Sequence, residues 1–526
     1  MIARTEIAER PMLLRSVNPA TGEKIGEFPN MGKEEVEKAV ARAKEAQKFW
    51  GNLSIDERGK WIYKFKEFVR KNIEDIAEII SEEKGVSRME ALISDVFPIL
   101  DLADFYIKNT RKILERQKIK IGVWGLLGRE SEVEYFPYGV IGVISPWNFP
   151  FSIPAGQIII ALMAGNSVVL KPSEFTPKTG ITIKKIFDEI GLPDGVFEVV
   201  TGNGYTGECL VRSGVDKIFF TGSTSTGIKI MKAAAENLTQ VVMELGGKDP
   251  MIVFDDVDLD ITTDAAIFGS FFNTGQVCAS VERIYVQDKI FKKFVDLMVE
   301  KTKKLRVGYS KVPYEYDIGS VISEKQLEKI NEHINDVIEK GGQILTGGRT
   351  KNLFVEPTIF VNIDHSFKSV REETFGPTAP VMKFSTDDEA VKLANDSEYG
   401  LTASVWTKDI KKAREIASKL NFATVMINDN LITHAIPQTP WGGIKKSGMG
   451  RTHGKEGLLE MVQIRHVHTN KLGQKMRQPW WYPFTKEKYE FSLALTNLLH
   501  SPNIAEKLSS LIKIVKNFGK ISRQRL

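Results

Sequence analysis

Cysteine is nearly absent: 526 residues contain two, Cys209 and Cys278. Two thiols cannot build a disulfide framework, and such scarcity suits a reducing, cytoplasmic compartment. Long apolar runs are missing too. No window offers the roughly 18 uninterrupted apolar residues of a membrane span. The most apolar region, residues 140–170, is broken by PWNFP (146–150), Gly156 and Asn166. The opening MIARTEIAER lacks the apolar core of a secretory signal. Nor does one sign of charge dominate the body. The net charge is +5, but from Lys471 onward eleven Lys and Arg stand against three Asp and Glu, which leaves residues 1–470 at about −3. Basic character therefore belongs to the tail. The body offers no basic groove interleaved with aromatics, which excludes a nucleic-acid role.

What is present is a chain 42% hydrophobic, long enough for two or three domains with full cores. After an extended lead-in at residues 18–29, helical periodicity runs from Lys33 to about Leu114. Residues 117–139 read as two strands around a glycine-containing turn. From Tyr138 short apolar runs (VIGVIS, SVVLKPS, VFEVVTG, KIFFTGS, VVMELGG) alternate with helical stretches. Continuous apolar strands with helical crossovers predict a parallel sheet covered on both faces. Ligands of such sheets sit beyond the carboxyl ends of the strands. SPWNFP, KPSE, TGNG, TGSTSTG and ELGG all fall at those ends. A second α/β pattern begins at PMIVFDDVDLD, and no long linker separates it, which places a site in the cleft between the two. MVQIRHVHT (461–469) reads as a late strand, available to the early hairpin of another subunit.

Gly222-Ser-Thr-Ser-Thr-Gly227 follows a strand and opens a helix, the setting for phosphate at a helix N-terminus. Thr224 stands where a dinucleotide fingerprint has its middle glycine, so Ser223 and nearby amides would share the work. Glu244 lies 22 residues after Gly222, where it reads either as a ribose-binding acid or as a catalytic base. Lys171 and Glu174 of KPSE are the better ribose candidates, and a carboxylate there repels a 2′-phosphate, favouring NAD over NADP. Cys209, in ECLVRSG, reads as a small buried hydrophobe. Cys278, in the glycine-bearing turn NTGQVCAS, could be part-exposed and activated to thiolate. Asn148 is either an oxyanion donor or a turn residue.

PWNFP, KPSE, FTGSTSTG, MELGGKDP, NTGQVC, EETFGP and PWGGIKKSGMGR resemble, in order and spacing, the signature segments of the aldehyde dehydrogenase superfamily, over roughly residues 17–470. The resemblance implies a Rossmann-like parallel-sheet cofactor domain (1–116 and 138–246), an α/β catalytic domain (247–458), a small β oligomerisation arm (117–137 and 459–470) and a basic amphipathic tail (471–526). It makes Cys278 the nucleophile that attacks an aldehyde. The side-chain amide of Asn148 and the Cys278 N–H hold the oxyanion, and Glu244 activates water against the thioester. Lys171 and Glu174 take the adenosine ribose, and Trp147, Ser223 and the Gly222–Gly227 turn the pyrophosphate. Glu373 and Phe375 take the nicotinamide side. CoA-acylating relatives generally lack an acid at the Glu244 position, so simple oxidation to the acid is expected. No metal is implied. The partners are a small-molecule aldehyde and further copies of the chain, in a homodimer or homotetramer.

By the same resemblance the substrate tunnel is lined near Ile153 and Gly156 and by residues 434–441, with His434, Ala435 and Trp441. Gly156 and Ala435 fall where related enzymes often carry large aromatics, so a wide tunnel is expected. Residues 432–441 hold no Arg or Lys to seize a substrate carboxylate, which favours a longer apolar or aromatic aldehyde over a semialdehyde acid. In the tail, apolar positions 493, 495, 498 and 499, then 508, 511, 512, 515 and 518, predict two short amphipathic helices with interspersed lysines. They either pack on the body or a partner subunit, or give a peripheral contact with an acidic lipid surface.

Overall fold

A computed structural model describes residues 12–475 and 477–521. The opening stretch read for a signal core lies outside them, as do Met476 and residues 522–526 of the tail. The described residues form two compact units, one of residues 12–113 and Phe136–Gln463, the other of Leu114–Tyr135 and the described part of residues 464–521.

In the first unit the apolar runs become strands. Val140–Ile144 and Ser167–Lys171 are buried at every residue, as parallel strands covered by helices on both faces must be. A six-stranded sheet has the order Gly448–Met449, Gln240–Glu244, Lys217–Thr221, Val140–Ile144, Ser167–Lys171, Phe197–Val199. Every pairing is parallel except the short strand Gly448–Met449, which runs antiparallel to Gln240–Glu244. Crossover helices Ser152–Met163, Pro177–Glu189, Gly204–Arg212 and Thr224–Ala235 follow the strands, as the alternation predicts. PWNFP, KPSE, TGNG, TGSTSTG and ELGG accordingly all leave the carboxyl edge. A seven-stranded sheet follows, with Asp249–Val253 and Val281–Gln287 as adjacent central strands and only Gln343–Thr346 antiparallel.

Lys248, just before the first of these strands, and Glu282, in the second, form a buried ion pair, side chains at most 2% exposed. Glu282 also accepts the backbone N–H groups of Thr374 (2.7 Å) and Phe375 (2.9 Å). One carboxylate thus fixes the loop EETFGP to the sheet.

The second unit has its own three-stranded sheet, in the order Val462–Asn470, Arg129–Pro137, Gln117–Ile119. This corrects one expectation: the late strand pairs with the early hairpin of its own chain, so that edge is already taken. The hairpin's connection also carries one helical turn, Val123–Leu126, rather than a simple glycine turn. Beyond the sheet lie two helices, Lys486–His500 and Ile504–Ile521.

Removing one member of a buried pair leaves a charge without compensation. Glu282→Ala strands the Lys248 ammonium and two backbone donors, and should cost about 3–5 kcal/mol. Calorimetry should show melting several degrees lower; an unchanged melting temperature would mean that the pair contributes nothing net.

Candidate active site

Cys278 follows a turn that the sequence bends sharply. Helix Leu259–Phe271 stops, and Asn273, Thr274 and Gly275 all take positive φ (53°, 57° and 69°). Left-handed conformations cost side-chain-bearing residues energy, and here a dense set of bonds holds them. The Asn273 N–H donates to buried Glu90 (2.7 Å), and its side-chain amide donates to the carbonyls of Asn148 (3.2 Å) and Gln276 (3.1 Å). Asn148 in turn donates from Nδ2 to the Gln276 carbonyl at 3.1 Å. PWNFP and NTGQVC are therefore laced together two residues from the thiol. A Cβ at Gly247 would stand 2.3 Å from the Cys278 carbonyl, so only glycine permits this approach.

The Cys278 side chain packs in an apolar cluster with Phe149, Ile153, Val277, Trp441 and Leu431. Thiolate activation is not what these surroundings supply. Burial, and then the charges of Glu244, Asp249 and Glu373, push the thiol pKa up rather than down. The thiol is the low-dielectric centre of an acidic group.

Those acids answer to the same physics. Glu244 ends its strand 6% exposed, and its Oε1 has no hydrogen-bond partner. Burial holds its pKa well above the usual carboxylate range, with Arg451 and the Trp441 side chain pulling it back. Glu373 accepts from the Gly247 N–H at 3.1 Å, and burial raises its pKa to about 7. Asp249, buried and hydrogen-bonded by the Thr402 hydroxyl at 2.7 Å, is raised as well.

The carboxyl edge of the six-stranded sheet is polar and incompletely paired. Ser145 Oγ and Gln157 Oε1 are buried without partners. Lys171, 4% exposed, meets Glu174 at 3.3 Å. Ser223 caps helix Thr224–Ala235 by accepting from the Thr226 N–H. Gly222 and Gly227 flank that cap, and the Trp147 and Phe375 rings meet edge-on with centroids 5.4 Å apart. Unpaired buried donors and acceptors beside a helix N-terminus fit a polar, phosphate-bearing ligand.

On the other side of the thiol, His434 sits between Phe149, Trp441 and His453, ring centroids 6.3, 5.1 and 4.9 Å away. Burial lowers its pKa to about 4, so it is a neutral wall residue. Ala435 lines a small cleft with His434, Ser152 and Leu102. Gly156 opens no extra room. A Cβ there would already touch Leu102 Cδ1 (3.5 Å) and Ile99 Cδ1 (3.7 Å), so a helix fills the space expected to widen the tunnel.

Several positioning residues escaped sequence reasoning: Asn273, Glu90, Glu282, Gln326 and Asp95. Gln326 donates to the Thr374 and Phe375 carbonyls, each at 2.9 Å. Asp95, paired with buried Lys84 at 3.0 Å, accepts the Phe151 and Ser152 N–H groups that start the helix after PWNFP. Lys248 and Asn273 lie inside quoted motifs, Glu282 lies four residues past Cys278, and charges at the edges of apolar strands were the available signal. Glu90, Asp95 and Gln326 gave none, because each acts on backbone groups far away in sequence.

The family model for the aldehyde dehydrogenase family matches residues 7–467. A 4,4'-diapolycopene aldehyde oxidase from Methylomonas sp is 38% identical over 91% of this chain and 89% of its own length. Betaine aldehyde dehydrogenase of Bacillus subtilis is 38% identical over 88% of this chain and 95% of its own. Among solved structures, betaine aldehyde dehydrogenase from Staphylococcus aureus in complex with NAD+ is 34% identical. It superposes with a TM-score of 0.83 over 90% of this chain and 96% of that one. With its motifs at the sheet edge and a cysteine among buried acids, the chain belongs to the aldehyde dehydrogenase family.

Proposed function

We propose that this NAD(P)-dependent enzyme oxidises an aldehyde to the carboxylic acid through a thioester on Cys278, with NAD as its preferred cofactor. One observation carries the reading: Trp441 packs in the cluster that holds Cys278 and also faces Glu244, which brings nucleophile and base to one wall. The Cys278 thiol gives its proton to a neighbouring carboxylate, and the thiolate adds to the aldehyde carbon. Asn148 Nδ2 carries two protons; one goes to Gln276, and the other is available to the oxyanion beside the Cys278 N–H. A nicotinamide held by Trp147, Glu373 and Phe375 would supply the hydride acceptor for that carbon, and Cys278 would keep the acyl group as a thioester. Glu244 then takes a proton from water as the oxygen attacks the thioester, and Cys278 leaves as the thiol of the resting site.

Lys171, Glu174, Gly222, Ser223 and Gly227 would hold the adenosine and phosphate half of the cofactor, and Trp147, Glu373 and Phe375 the other. The exposed Glu174 side chain supports NAD by repelling a 2′-phosphate. Glu244 supports hydrolysis over transfer to CoA. For the substrate, the apolar wall of Phe149, Ile153, Leu431 and Trp441 favours a medium-chain, long-chain or aromatic aldehyde. The name of the diapolycopene relative points the same way. We also assign the chain to a homo-oligomer, dimer or tetramer, supported by apolar Ile464 and Val467 standing exposed on the late strand. A screen of NADH formation over aldehydes of increasing length, with succinic semialdehyde included and NADP in parallel, tests the assignment. Preference for the semialdehyde would overturn it.

Cys278→Ser should lower turnover by on the order of 10⁴-fold while NAD binding, read by fluorescence quenching, persists; substantial residual turnover would exclude Cys278 as nucleophile. Glu244→Gln should release a burst of NADH and then stall with the acyl group on the enzyme, visible by mass spectrometry. The pH profile supplies a further check. Because burial raises the Glu244 pKa, its basic form is gained at higher pH than that of an ordinary carboxylate, so the deacylation rate should climb toward alkaline pH. The Gln variant should lack that limb, and an identical profile in both proteins would assign the base elsewhere.

A further inference from the structure

The last helix, Ile504–Ile521, is inside out. Its apolar side chains Ile504, Leu508, Leu511, Ile512, Val515 and Phe518 are all exposed, with Leu508 at 59%, Ile512 at 69% and Val515 at 70%. Its inward face is mixed, with Ser510, Asn517 and Ile521 buried and Ile514 half-buried. At 3.6 residues per turn the six exposed residues share an arc of roughly 120°. A globular helix turns such a stripe toward a core. This one packs against Lys486–His500, where Phe518 at the edge of the stripe meets the Phe491 ring (centroids 6.3 Å), and leaves the rest of the stripe to the outside. In the same unit Trp480, Trp481, Tyr482 and Phe484 are also exposed, with the Arg129 guanidinium between the Trp124 and Trp480 rings, 5.1 and 5.0 Å from their centroids.

Charge selects the occupant. The helix carries Lys507, Lys513, Lys516 and Lys520 against a single acid, Glu506. Lys507 and Lys516 fall on either side of the apolar arc. A second copy meeting this stripe about a two-fold axis would bring lysines against lysines. An anionic bilayer surface meets the lysines with phosphates, takes the leucines and valine below the headgroups, and suits exposed tryptophan and tyrosine at the boundary. No helix among the described residues is long and apolar enough to cross a membrane, so the contact lies along the surface. We infer that the Ile504–Ile521 helix, with the neighbouring aromatics, is a docking face for an anionic phospholipid bilayer. The inference is independent of the catalytic reading, because docking requires no turnover.

The test is co-flotation of the full-length protein with phosphatidylcholine vesicles, with and without an equal part of phosphatidylglycerol. Two variants accompany it: Leu508→Glu/Leu511→Glu/Val515→Glu, and Lys507→Glu/Lys513→Glu/Lys516→Glu. All six side chains lie wholly or partly at the surface, so folding should survive, with melting temperature and NADH formation from a small soluble aldehyde as controls. The native protein should float with the phosphatidylglycerol vesicles, less so at high salt. Each variant should lose about tenfold or more in partitioning, with its light-scattering mass unchanged. Failure of the native protein to float would overturn the inference. Equal binding to neutral vesicles with no loss in the lysine variant would remove the anionic partner. A fall in oligomer mass in the leucine variant would hand the face to a second copy.

Discussion

Cys278, Glu244, Glu373 and Asp249 share one desolvated space, and they cannot all carry charge. Burial disfavours each anion, and every anion that forms disfavours the next. The thiol pKa is raised by burial and by all three acids, while that of Glu373 is held to about 7. The site therefore favours the protonated form of each group more than water does. A thiol in that state is a weak nucleophile, and a carboxylic acid in that state is no base. Catalysis depends on how the few available negative charges are distributed, and that distribution depends on what enters. A cationic ring beside Glu373 would stabilise anions nearby, whereas an apolar chain beside Trp441 would deepen the desolvation.

Holding four such groups together needs a frame that does not relax. The structure supplies it through backbone hydrogen bonds to buried side chains from distant segments. Asn273 ties the cysteine turn to the PWNFP turn, Glu282 ties EETFGP to a central strand, and Asp95 starts the helix that follows PWNFP. Each of these side chains is at most 2% exposed, so its bonds form in low dielectric and are costly to leave unmade. The left-handed residues at 273–275 are the strain this frame absorbs.

Much of the fold was legible because one pattern repeats. An apolar run of four or five residues followed by a glycine- or proline-bearing motif marks a parallel strand and its carboxyl end, and all five such ends carry the expected motifs. The quoted site residues were legible for the same reason: chemistry sits in the turns. What was not legible is carried by three-dimensional pairing. Nothing in Asn273 announces a partner at residue 148, and nothing in MVQIRHVHT says which chain its strand will join. The direction of the Cys278 shift was missed because it comes first from burial and then from acids 29 to 95 residues away in sequence, both set only by the fold. Gly156 misled in a similar way, since a missing side chain leaves room only if no neighbour fills it, and Leu102 does.

The tail poses the opposite problem from the site. In the catalytic unit polar groups are buried; in the final helix apolar groups are exposed. Each exposed leucine or valine forgoes roughly 1.5–3 kcal/mol of burial, and a rotation of the helix by about a third of a turn would recover part of that by turning the stripe inward. That rotation would carry Ser510, Asn517 and Ile521 outward, while Lys507 and Lys516, at the two edges of the stripe, would stay at the flanks of the packed face. What the helix turns outward is thus an apolar stripe edged by lysines, the charge that an anionic surface would select.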